Sequence, residues 1–193
     1  MDVAGVPSLI QVKTGLKRIN ELYAQVGLLV SPKYSQLPWP NNLPRNKPGF
    51  LDLYDEIPGK LIGPLSYEYK KFIDFADSEG LNVYFVLSAY STAFGIAVTP
   101  HQILREPDGQ DLPFKYLDKA FINTAITGPT TGYTTSHELL HLLAYRTDGQ
   151  HDHNEPFWNL LNVTNQNKEA VLRSVRITKA QEGRILEHPA LVR

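Results

Sequence analysis

Leu16, Ile19, Tyr23 and Val26 recur at helical spacing, with Lys17, Arg18 and Glu21 between them. This pattern predicts an amphipathic helix closed by Gly27, followed by a short strand over 28–30. From 31 to 64 the chain is dense in Pro, Gly and Asn and reads as an irregular excursion with one strand near 50–54. Tyr69, Phe72, Ile73 and Ala76 mark one face of a second helix, opened by Ser66 or Tyr67 and running to about Ser78 before Glu79-Gly80 closes it. Strands are predicted over 81–87, 94–98 and 121–126, stopped in the last two cases by Thr99-Pro100 and Thr127-Gly128-Pro129. The polar, Pro-containing stretch 101–118 reads as a loop.

Between about 133 and 146 the pattern changes. Leu139, Leu140, Leu142, Leu143 and Ala144 make this helix apolar nearly all round, which predicts burial in the core. Asp148-Gly149 is a natural stop, and 150–167 is polar and loop-like. Thr178-x-x-Gln181 has the form of a capping box opening a last helix that should end before Pro189. The order predicts a single α+β domain: a small, mixed, twisted sheet packed on helices, with an upper part over about 1–147 and an irregular lower part over about 148–193.

The buried helix carries His137-Glu138-Leu139-Leu140-His141, an H-E-x-x-H sequence. Residues four apart on an α-helix lie roughly 40° apart around its axis, so both imidazoles can reach one metal ion. Glu138 sits at the edge of that face, placed to take a proton from metal-bound water. Four of the six histidines (His137, His141, His151 and His153) fall in this one stretch, a clustering that suggests metal.

Composition narrows the chemistry. The net charge of −1 gives no reason to expect a nucleic-acid or acidic-membrane partner, and no apolar run reaches the length of a membrane span. No signal peptide is visible over 1–10. With no cysteine in the chain, zinc must be held by nitrogen and oxygen ligands. A catalytic zinc has three protein ligands and an open position for water. His137 and His141 supply two. His151 and His153 lead for the third, ahead of Asp148, Asp152 and Glu169. With Glu138 as general base and then acid, these parts make a peptide-bond hydrolase that takes a protein or peptide substrate.

The same residues resemble the metzincin-type zinc metallopeptidases, whose pattern is H-E-x-x-H-x-x-G-x-x-H followed by a turn carrying a methionine beneath the zinc. His137, Glu138 and His141 match the first part. Ala144 and Thr147 stand where the family has glycine and the third histidine, so the helix is expected to run on towards Gly149. Asn159-Leu160-Leu161 resembles the N-x-M of the family's turn, with Leu161 as apolar floor, since Met1 is the only methionine. The spacing from His153 to Leu161 resembles the family's gap from third ligand to turn, whereas His151-Asp152 resembles a His-Asp pair found in some members. The resemblance implies an extracellular protease whose edge strand, here Gly95, Ile96 and Ala97, pairs with extended substrate.

Other readings compete. Thr135-x-x-Glu138 also has the form of a capping box, in which Glu138 serves only the helix start. Tyr116, Tyr133 and Tyr145 are candidates for an oxyanion contact, Phe157 and Trp158 for a substrate pocket, and His101 and His188 read as surface residues. The alternative functions are a non-catalytic, metal-stabilised binding or structural module, and a zinc hydrolase of non-peptide substrates.

Overall fold

The computed structural model describes residues 9–41, 43, 50–53, 65–76, 80–87, 94–99, 113–124, 131–146, 159–161, 176–189 and 191. Among them are four α-helices, α1 (Leu9–Tyr23), α2 (Tyr67–Ala76), α3 (Thr131–Leu143) and α4 (Lys179–Glu187), and three strands, β1 (Asn82–Val86), β2 (Gly95–Val98) and β3 (Lys119–Asn123). The architecture is α+β with a mixed sheet of order β1-β3-β2, in which β3 runs parallel to β1 and antiparallel to β2.

Strand alternation divides the core. On one face, Tyr84 and Phe121 stack with ring centroids 5.0 Å apart and meet Phe72 and Tyr69 of α2. The other face carries Gly95, Ala97 and Ala120 beside the larger Val83, Phe85 and Ile122. Ala97 and Ala120 pack against Leu142 of α3, with Val83 beside them. Alanines on this face let α3 lie close to the strands, which is what brings its Glu138 within reach of β2. The far side of α3 packs on α1, the 159–161 turn and α4 through Ile19, Leu22, Leu140, Leu143, Leu160, Leu161 and Ile185. Tyr23 of α1 is fully buried there and donates its hydroxyl to the Ser136 carbonyl on α3.

Local signals explain the element ends. Gly27 closes α1 and its short 3-10 extension in the left-handed conformation, at φ 72°. The Ser66 hydroxyl accepts from the Tyr69 N–H and caps α2. Thr178 and Gln181 form the expected capping box on α4, and the helix ends at Glu187, before Pro189.

Several expectations are corrected. Residues 28–30 form no strand among the described residues: Leu29 points to solvent, and the Val30 N–H is taken by the Asn20 side chain. Residues 50–53 make no regular strand either, although Leu51 and Leu53 alternate into the core. β3 begins two residues before the expected start, at Lys119, whose buried ammonium reaches the Gly80 carbonyl at 2.7 Å. The stretch 114–116 is a 3-10 turn. α3 ends at Leu143 instead of running on towards Gly149; the Ala144 carbonyl accepts from Arg184 Nε of α4 at 2.7 Å, which satisfies an otherwise orphaned helix-end acceptor. Among the described residues no helix is long and apolar enough to cross a membrane.

Candidate metal centre

α3 carries His137, Glu138 and His141 on its second and third turns. The Nε2 atoms of the two histidines lie 3.1 Å apart, with their rings nearly perpendicular at 75°. Two imidazoles at this separation share either a proton or a cation. The pair supplies two of the three nitrogen or oxygen ligands that a catalytic zinc site takes, and no third stands beside them among the described residues.

His137 is held from behind. Its Nδ1 lies 2.7 Å from the Leu160 carbonyl, which directs a proton to Nδ1 and leaves the Nε2 lone pair on the side facing His141. The same carbonyl accepts from the Tyr133 hydroxyl at 3.2 Å. Leu160 is itself fixed by Asn159, whose amide oxygen accepts the Leu161 N–H and whose amide nitrogen donates to Gln181 Oε1 at 2.8 Å. Gln181 is both the capping-box residue of α4 and the clamp on this turn. The turn lies beneath the site, where Leu160 and Leu161 are fully buried.

Glu138 is buried, against Gly95 and Ala97 of β2. Burial pushes its carboxyl up to about 8, opposed by a hydrogen bond from the Ala97 backbone N–H, and no basic side chain contributes. Burial alone thus favours the neutral acid near pH 7. A dication held beside the group would favour the carboxylate. The capping-box reading of Glu138 is overturned. Thr135 lies inside α3, its hydroxyl donates to the Thr131 carbonyl one turn back, and Glu138 turns to β2.

Of the three tyrosines, Tyr133 stands beside His137, with ring centroids 6.3 Å apart. Burial, then the nearby charge of Glu138, holds its hydroxyl up at about 12. Tyr116 instead donates to Asp74 on α2, and Tyr145 packs edge-on against His188. His188 is buried behind the end of α4, not at the surface. His101, Asp148, His151, Asp152, His153, Phe157, Trp158 and Glu169 lie outside the described residues. Among the described residues no three His, Asp or Glu side chains group as a metal site. The sequence patterns gave no role to Tyr133's contact with the turn, to Gln181's contact with Asn159 or to Ala97's N–H. Each is a tertiary contact between elements distant in the chain.

Compared with protein-family models, curated proteins and solved structures, the chain matches none.

Proposed function

We propose that this chain is a zinc-dependent metalloendopeptidase of metzincin-like type. The observation that carries the reading is the 3.1 Å approach of two imidazole Nε2 atoms on one helix face, with a buried acid between them in sequence. His137 and His141 would hold the ion through Nε2, with either His151 or His153 as the third ligand. The chemistry zinc supplies when so held is an acidified water, with a pKa of about 7, and a polarised carbonyl. Glu138 would serve as general base and then as general acid in the hydrolysis. Ala97's N–H orients that carboxylate, and the Leu160 carbonyl orients His137. β2 lies at the edge of the described sheet, where an extended peptide has a strand to pair with.

The test is Glu138→Gln, assayed on a generic unfolded protein. Zinc should remain bound while cleavage falls by several orders of magnitude, and cleavage by the wild type should stop with a chelator and return with zinc. Cleavage retained by Glu138→Gln would remove the proposed role of Glu138. A wild type that binds zinc but cleaves no peptide would favour the non-catalytic module or a hydrolase of other substrates.

A further inference from the structure

We propose that Gly95 is the positioning residue for Glu138, and that the missing side chain at this point of β2 sets where the carboxylate sits. Gly95 occupies ordinary strand backbone, without the positive φ of Gly27 and Gly80, so its conformation does not demand glycine. Space does. A Cβ built on Gly95 would lie 2.7 Å from Glu138 Cγ, 2.9 Å from Oε1 and 3.0 Å from Cδ. The whole outer half of the side chain lies against the place where any other residue would project. Glycine inside a strand commonly marks a close approach of this kind.

Register explains why Glu138 meets β2 here. Gly95 pairs with Ile122 and Ala97 with Ala120, so both fall on the alanine-lined face that α3 covers. The Asn123 N–H bonds to the Phe94 carbonyl, which places Phe94 and then Ile96 in the hydrogen-bonded positions facing β3. The alternation of an antiparallel ladder turns the Gly95 and Ala97 backbone groups the other way, off the sheet edge. Glu138 passes under Gly95 and ends on the Ala97 N–H at that edge. One strand thus supplies both the gap that admits the acid and the donor that aims it. A side chain at 95 would push the carboxylate off the Ala97 N–H while leaving His137 and His141, one residue before and three after, on their own helix face.

The steric relation stands by itself; its catalytic consequence rests on the hydrolase reading above. The experiment uses the full chain, zinc-loaded, as wild type, Gly95→Ala, Glu138→Ala and the double variant. Gly95→Ala should lower the thermal midpoint by roughly 5 °C. In the Glu138→Ala background, where the colliding atoms are gone, the same change should cost less than half as much. Gly95→Ala should keep its zinc and its KM within about twofold, while kcat falls about 100-fold. Equal midpoint losses in both backgrounds, or a kcat within about twofold of wild type, would overturn the proposal. If Gly95→Ala does not fold, recovery of folding by adding Glu138→Ala supports it, and failure to recover refutes it. A wild type without hydrolytic activity would fail the hydrolase reading alone, because the midpoint comparison still decides whether Gly95 makes room for Glu138.

Discussion

His137 Nδ1 meets the Leu160 carbonyl at 2.7 Å, tying the middle of α3 to a turn that follows it in the chain. This contact places the proton on Nδ1 and turns the Nε2 lone pair of His137 towards His141. It depends in turn on Asn159, whose amide pairs with Gln181 and holds the Leu161 N–H. Asn159→Ala leaves the buried Gln181 amide nitrogen without its acceptor, while Gln181 Oε1 keeps the Thr178 N–H, and releases the turn. The expected result is a loss of about 1–3 kcal/mol in denaturant unfolding and a zinc affinity lower by about 10–100-fold in a competition titration. A variant that loses stability but holds zinc as tightly as wild type would detach the turn from the metal centre.

The third ligand is decided by substitution. His151→Ala and His153→Ala, made separately, should differ: one loses zinc by about the same factor as His137→Ala or His141→Ala, and the other stays near wild type. Metal content after dialysis against a weak chelator checks this. Full zinc in both variants would shift the third ligand to Asp148, Asp152 or Glu169.

Alkaline stability should report the α1–α3 interface. Burial raises the Tyr23 hydroxyl well above its ordinary value of 10.0. Above pH 10 the unfolded chain releases this proton and the folded chain keeps it, so the folded state binds more protons and stability falls as pH rises. One such group contributes a slope of up to about 1.4 kcal/mol per pH unit. Tyr23→Phe should remove that contribution and cost about 1 kcal/mol near neutrality through the lost bond to Ser136. Tyr116, Tyr133 and Tyr145 are also pushed up by burial, so the slope becomes shallower and does not vanish. An unchanged slope in urea unfolding between pH 9 and 11 would contradict this assignment.

Gly183 offers a contrast to Gly95. It lies exposed inside α4, and nothing stands within 4 Å of a Cβ built there. Gly183→Ala should therefore stabilise the chain by about 0.5–1 kcal/mol, because alanine restricts the unfolded chain and suits a helix. Thermal unfolding that shows no gain, or a loss, would mean that α4 does not carry this residue as described.

What was legible in the sequence was periodic. Ile19 and Tyr23, Tyr69 and Phe72, and the leucines of α3 announce their helices, because a buried stripe at 3.6-residue spacing survives any tertiary arrangement. The capping box of Thr178 and Gln181 is equally local. Lys119 hid the start of β3, since a lysine at a fully buried strand position is readable only once Gly80 is seen to accept its ammonium. Leu28 to Val30 carry strand-forming side chains but no ladder partner among the described residues, and propensity without a partner makes no strand. At the candidate site, the two histidines follow from spacing alone. Their supports do not, because Leu160, Asn159 and Gln181 reach His137 only through the fold. His188 looked like a surface residue because the polar stretch around it carries no periodic mark of the packing that buries it.

The most direct test of the central claim is an anomalous difference map collected at the zinc edge from crystals of the wild-type chain grown with zinc. The account predicts one peak about 2.0–2.1 Å from both His137 Nε2 and His141 Nε2, with Glu138 still resting against Gly95. A map with no peak between the two rings, at full zinc in the mother liquor, would contradict it.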